Sequence, residues 1–331
     1  MSIILHHTDA DGYCSARIAK ENLIDVFDNN TIFIPYNYKG DGLKKIDFHD
    51  QRKLIITDLC CNAEIEELIR TALEYGCTII HIDHHQSGID YYNEHMTDLD
   101  DSKLYNKFFS TRESASMLMW VYTHMSDEQK QNAENVFFDF EDDYSHFIFD
   151  DKFPRFIPIA LRYINDNDVF RNQFAESKKF TAGFYGMSRK EIMPASDVWN
   201  TLIFSSIDPL TPTLISKGED IIKDREKQYM KIRKKAFTCT IYGIDCVCIN
   251  TSEAGSAVFG DLYNKHDVCI RFSYDGPERV WTYTLYSDKK VNTYEDIVKR
   301  WATDYQELVM SHGGHPYASG CSTSKCLFDI M

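Results

Sequence analysis

The sequence predicts an α/β protein: an N-terminal domain on a parallel sheet with helices on both faces, a linker helix, and a smaller C-terminal α/β domain. Three observations lead there. The first ~85 residues alternate short apolar runs with helical patterns, as βαβ units do. Three of the runs end abruptly in Asp or in clusters of His and Asp. A charged helical stretch then separates this region from a second set of alternating segments that begins at Phe237. The 331 residues, 43% hydrophobic, suit two domains at roughly 100–200 residues each. The expected boundaries are 1–210 for the first domain, 211–236 for the linker helix and 237–331 for the second.

Taken in order, residues 2–5 read as a buried strand that runs into His7-Thr8-Asp9-Ala10-Asp11-Gly12. Residues 15–23 read as a helix and 31–35 as a short strand. Residues 53–57 form a β-branched strand ending at Asp58. Residues 63–75 are amphipathic, with Ile65, Leu68, Ile69, Ala72 and Leu73 on one face and Gly76 beyond the end. Residues 78–82 are the next strand, ending in Asp83-His84-His85. Ser110-Thr111-Arg112-Glu113 has the form of a capping box opening a helix to about Thr123. Residues 139–151 read as an acidic, aromatic surface insertion. Residues 156–164 read as a buried helix ending at Asn165-Asp166-Asn167-Asp168. A loop at 205–212 closes the first domain, and 217–236 is a solvated connecting helix striped by Ile221, Ile222, Tyr229 and Ile232.

In the second domain, 238–249 reads as a strand or tight hairpin and 254–264 as a short helix. Residues 268–274 and 280–286 flank the turn Asp275-Gly276-Pro277-Glu278. Residues 294–305 read as an amphipathic helix. The chain closes with the loop His312-Gly313-Gly314-His315, in which paired glycines expose N–H groups able to hold a phosphate.

Composition narrows the function. The start turns polar too soon for a signal peptide, and no apolar run approaches the ~18 residues of a membrane span. The expectation is a soluble, cytoplasmic protein without a membrane partner. The ten cysteines form no C-x-x-C pair and read as small buried hydrophobes. A net charge of −15 disfavours long duplex nucleic acid, which wants a basic surface. Short phosphorylated substrates remain.

The chemistry lies at the strand ends. In βαβ units the C-terminal ends of the strands share one edge, where open α/β sheets bind ligands. Asp9 and Asp11, Asp58, and Asp83-His84-His85 should therefore converge. Burying such groups is costly unless something binds there, and a pair of divalent ions fits. If the first segment stays extended, alternation points His7, Asp9 and Asp11 to one side. Asp58 is placed to bridge, and His84 adds an imidazole. Mixed His and carboxylate donors suit manganese.

HTDADG at 7–12, ITDL at 56–59, IDHH at 82–85 and GGHPYASG at 313–320 resemble, in order, four signatures of the DHH phosphoesterase superfamily with its DHH-associated C-terminal domain. The resemblance is closest to the oligoribonuclease branch called nanoRNase B. It implies two manganese ions, with magnesium or cobalt as substitutes. It implies that His7 and Asp9 bind one ion, Asp11 and His84 the other, and that Asp58 bridges. A further ligand is expected from Asp168, with Asp166 as the competitor. His85 would contact the scissile phosphate or support the ligand shell, and Asp83 would orient a neighbouring histidine. Gly313, Gly314 and His315 would hold a phosphate or sugar from a capping second domain.

Two departures touch specificity. Only two glycines precede His315, where the family has three or four. Tyr286 stands where an Arg often grips phosphate, with Lys289, Lys290 or Arg271 as possible compensation. The implied activity is a manganese-dependent phosphodiesterase that cuts short oligonucleotides or linear dinucleotides to nucleoside monophosphates, as monomer or homodimer. The alternatives are a phosphatase acting on phosphoadenosine phosphate and a catalytically inactive nucleotide sensor. His6, His81, Trp199 and Trp301 read as structural.

Overall fold

The computed structural model describes residues 2–24, 30–38, 43, 46–126, 157–253, 255–288 and 291–330. The expected insertion at 139–151, together with Phe156, Lys289 and Lys290, lies outside them. The chain divides into two compact units, Met1–Ile221 and Ile222–Met331.

The first unit is built on five strands: β1 (Ser2–His6), β2 (Ile32–Pro35), β3 (Lys53–Thr57), β4 (Thr78–Asp83) and β5 (Tyr105–Phe109). All pair in parallel, in the order β2-β1-β3-β4-β5. The middle strands are apolar throughout because both faces are covered. Ile4, Ile55, Ile80 and Ile82 pack on one face against α1 (Ala10–Leu23), α4 (Ala115–His124) and α5 (Ile159–Asp168). Ile3, Leu5, Leu54, Ile56 and Ile79 pack on the other against α2 (Ala63–Glu74) and α3 (Gln86–His95). The unit continues through α6 (Ser177–Tyr185) and a short α7 (Arg189–Ile192).

Local expectations needed four corrections here. The segment after β1 does not stay extended: α1 starts at Ala10 rather than Ser15, with Asp9 as its cap. The Asp9 carboxylate accepts the Gly12 N–H at 2.9 Å, which outweighs the alternation of residues 7–11. The capping box at 110–113 does not form. Helix α4 starts at Ala115, Ser114 makes no side-chain cap, and Asp11 accepts the N–H groups of Ala115 and Ser116 at 2.7 and 2.9 Å. Glu113 is instead drawn inward, 1% exposed, and paired with both ends of the Arg171 guanidinium at 2.9 and 2.6 Å. Helix α5 runs on to Asp168 rather than stopping at Ile164.

The fourth correction concerns the connecting helix. Helix α8 (Leu210–Arg233) begins inside the expected loop, because Asp208 caps Leu210 and Thr211 at 3.0 and 2.9 Å. Pro212 is tolerated in its first turn. The helix is not simply solvated: Leu214 joins the core of the first unit, and Tyr229 and Ile232 pack in the second.

The second unit holds six strands: β6 (Phe237–Ile241), β7 (Ile244–Asn250), β8 (Val268–Asp275), β9 (Val280–Tyr286), β10 (Val309–His315) and β11 (Ala318–Thr323). The order is β10-β11-β9-β8-β7-β6, antiparallel except for β7 with β8. One face packs on α9 (Lys299–Asp304) and the turn before it, through Ile297, Val298 and the fully buried Trp301. Val247, Ile249 and Cys269 on the other face pack on Val258, Phe259 and Tyr229. Among the described residues no helix is long and apolar enough to cross a membrane.

The Glu113–Arg171 pair ties the start of α4 to the segment after α5. Replacing Arg171 by Leu leaves a buried carboxylate with only the Asn165 amide and no cation, and should cost about 3 kcal/mol. The double substitution Arg171→Leu, Glu113→Leu should recover most of it. Urea denaturation of the three proteins checks this; equal loss in single and double variants would refute it.

Candidate metal centre

Strands β1, β3 and β4 are neighbours, so their C-terminal ends place His7, Asp58 and His84 on one edge of the sheet. Asp9 and Asp11 come from the first turn of α1, and Asp168 from the last residue of α5. The glycine of HTDADG is needed for this approach. A Cβ on Gly12 would lie 2.4 Å from the carbonyl oxygen of His7, so a side chain there would push α1 off the strand end. Asp58 holds a left-handed backbone, φ +59°, a strained conformation for a non-glycine residue. Its N–H donates to Ile82 O at 3.0 Å, which anchors it between β3 and β4.

The donors fall into two groups, each with its ligand atoms within 4.8 Å of one another. His7, Asp9 and Asp58 form one; Asp11, His84 and Asp168 form the other. Asp58 faces both: Oδ2 lies 3.6 Å from His7 Nδ1 and Oδ1 lies 3.3 Å from His84 Nε2. His84 Nε2 is also 3.3 Å from Asp168 Oδ2. His7 Nδ1 is 2.7 Å from Asp9 Oδ2, and its Nε2 is 3.2 Å from Asn37 Oδ1.

The electrostatics call for a cation. Asp11 and Asp58 are each 1% exposed. Burial first, then the Asp11 charge, pushes Asp58 well above the usual carboxylate range, although His7 opposes this. The same two causes push Asp168 up to about 8, against His84. Burial also raises Asp9, but the His7 hydrogen bond and the Gly12 N–H hold it at about 2. The Asp58 and Asp9 carboxylates facing it raise His7 to about 10, against its burial. Asp58 Oδ2 and Asp168 Oδ2 are buried without hydrogen-bond partners. Unpartnered carboxylate oxygens facing imidazoles in a low-dielectric pocket are the donor set of a divalent metal site, so these residues fit a metal ion.

Asp166 is placed differently. It is fully buried and accepts hydrogen bonds from the N–H of Gln173 and of Phe174 and from the Ser177 hydroxyl. It holds the turn into α6, which leaves Asp168 as the residue in the cluster. Asp83 Oδ1 is 2.8 Å from His85 Nδ1. Burial works against charge on His85, but the Asp83 hydrogen bond and Cys60 raise its pKa to about 11. His6 points away from the cluster, bonded to His7 O at 2.7 Å and edge-on to Tyr13. His81 is buried against Leu59 O.

Sequence reasoning missed Tyr38, whose hydroxyl accepts the Cys60 N–H at 2.7 Å, and the place of Cys60 beside Asp83 and His85. Neither carries a signal in a single sequence. Phe170, two residues past Asp168, is 82% exposed.

In the second unit Gly313, Gly314 and His315 are not a loop. They lie on β10, paired with Gly320, Ser319 and Ala318 of β11, and the turn is Pro316-Tyr317. Strand pairing spends part of the backbone that the sequence reading left free for phosphate. A cavity of about 290 Å³ opens there, lined by Thr282, Thr284, Ser311, His312, Gly313 and Ser322 among others. Tyr286 packs toward Phe259 rather than standing free. Arg271 donates to Glu253 O at 3.4 Å. Trp199 is fully buried.

A scan of protein-family models finds no match, and a search of curated proteins finds none. Solved structures do match. The exonuclease RecJ bound to manganese aligns over 99% of this chain and 87% of its own, at 11% identity and a TM-score of 0.51. The chain shares the fold of RecJ. The pGpG-specific phosphodiesterase PggH of Vibrio cholerae is 13% identical over 97% of this chain and 92% of its own, TM-score 0.48. RecJ of Thermus thermophilus, in complex with Mn2+, is 11% identical over 99% of this chain and 50% of its own, TM-score 0.46.

The pKa of Asp168, raised from 3.8 to about 8, makes the metal-free native state keep a proton that the unfolded chain has released. Stability in chelator should therefore fall as pH rises from about 4 to about 8. Asp168→Asn should flatten that fall, and saturating divalent ion should abolish it. Denaturation curves across the range, with and without metal, measure it; an unchanged slope in Asp168→Asn would refute the placement.

Proposed function

We propose that the chain is a DHH-type phosphodiesterase that uses two divalent ions, manganese by preference, to hydrolyse short oligonucleotides or linear dinucleotides to nucleoside monophosphates. The observation that carries this reading is the posture of Asp58. One carboxylate turns one oxygen toward His7 and the other toward His84, as a bridge between two ions would. The RecJ fold, solved elsewhere with manganese, supports it.

His7, Asp9 and Asp58 would hold one ion; Asp11, His84 and Asp168 the other, with Asp58 common to both. Two such ions would supply Lewis acidity and a lowered pKa for bound water. The remaining work falls to side chains. Asp11 is locked by two backbone N–H groups of α4, which fixes its position without using all its lone pairs. Asp83 holds the His85 ring and favours its charged form. A cationic N–H beside a phosphate stabilises charge that develops on its oxygens.

A nucleotide substrate is favoured over a bare phosphate chain by the aromatic surroundings. Phe170 and Tyr38, 82% and 40% exposed, flank the motifs and offer faces on which bases stack. The net charge of −15 argues against long duplexes.

Manganese-dependent hydrolysis of a linear dinucleotide, followed by product analysis, tests this. Asp58→Asn should abolish turnover. His85→Asn should lower kcat roughly 100- to 1,000-fold, and Phe170→Ala should raise KM roughly 10-fold with kcat kept. Tight nucleotide binding without hydrolysis would instead identify a sensor. Release of phosphate from phosphoadenosine phosphate, with dinucleotides untouched, would identify a phosphatase.

A further inference from the structure

Among the described residues, two further groups adjoin these: one sets His85 within 4.8 Å of Asp58 and His84, and the other carries a thiol. Cys60, Asp83 and His85 each present a ligand atom within 4.8 Å of the others, and they share no residue with the six donors of the first two groups. Asp83 Oδ1 is 2.8 Å from His85 Nδ1. Asp83 is 1% exposed, and its second oxygen, Oδ2, is buried without a hydrogen-bond partner. The opening is kept by the start of α3. A Cβ on Gly88 would lie 2.9 Å from both Asp83 Oδ2 and Cys60 Cα, so a side chain there would fill the pocket. Ser87 Oγ is 3.7 Å from Cys60 Sγ. Cys60 is half-buried and the His85 side chain is 37% exposed, so the group is reachable from solvent.

Thiolate, imidazole and carboxylate together select a softer ion than the oxygen-rich donors next door. Zinc–ligand bonds of about 2.0–2.3 Å in a tetrahedron set donors roughly 3.3–3.8 Å apart, so Asp83 and His85 would part slightly from 2.8 Å to admit the ion. We propose that Cys60, Asp83 and His85 form a separate site for one zinc ion, with water in the fourth position. Binding forms zinc–sulfur and zinc–nitrogen bonds and releases the Cys60 thiol proton and the His85 ring proton to solvent. Zinc on His85 would take the place of the ring proton and break its Asp83 hydrogen bond, so a loaded site would withdraw that cationic N–H from substrate. That consequence, unlike the site itself, rests on the function proposed above.

Cobalt(II) is the probe, titrated into the full chain in a reductant that is not a thiol. A near-ultraviolet thiolate-to-cobalt band should appear, saturate, and vanish on adding zinc. It should be missing in Cys60→Ser and Cys60→Ala and persist in Asp9→Asn, which alters only the neighbouring cluster. No band, a band that survives both Cys60 substitutions, or a band lost in Asp9→Asn overturns the separate site. One equivalent of zinc should also slow manganese-supported turnover roughly 10-fold or more in the native chain and not in Cys60→Ser. Equal inhibition of both overturns the withdrawal of His85. A Cys60-dependent band in a chain without turnover supports the site while refuting the proposed function.

Discussion

The constraint on which the first unit depends is electrostatic. Asp9, Asp11, Asp58 and Asp168 converge at the ends of parallel strands and helices, and Asp11 and Asp58 have almost no contact with water. Carboxylates cannot all ionise in such a place without a compensating charge. The imidazoles of His7 and His84 offset part of it, and the raised pKa values of Asp58 and Asp168 measure what is left over. The strained backbone at Asp58 belongs to the same economy: the chain holds an unfavourable conformation so that one carboxylate can face two sides.

Several hydrogen bonds hold that cluster in place. Asp11 caps α4 across 104 positions of sequence. Asp166, two residues from Asp168, is consumed by the turn that follows it. Glu113, Asn165 and Arg171 tie α4 to the end of α5, the helix whose last residue is Asp168. The helices behind the sheet are thus hydrogen-bonded to the edge that carries the candidate metal ligands, and their packing sets where those donors stand.

The second unit presents a different surface. Its glycine pair lies in an edge hairpin with an adjoining hydroxyl-lined cavity. This surface offers neutral donors rather than a guanidinium fork. Such donors hold a phosphate less strongly than Arg and are less demanding about its geometry.

The elements legible in the sequence were those whose cause is local. Strand β3 and helix α2 follow from β-branched runs and apolar periodicity, and the parallel order follows from their alternation. The convergence of Asp58 with His84 on one edge comes from topology that alternation already implies. Other features came from groups far apart in the chain. Ser110 to Glu113 looked like a capping box because nothing nearby revealed that Arg171 would claim Glu113 and Asp11 would cap α4. Asp166 and Asp168 share a helix end and a side-chain type, so only the packing of α5 separates them. Cys60 looked like any small hydrophobe until the end of β4 brought Asp83 and His85 beside it. Residue type and spacing determined which groups could carry charge and where strands would end. Tertiary structure decided which of those groups face one another, because burial and partner choice depend on contacts that no local pattern encodes.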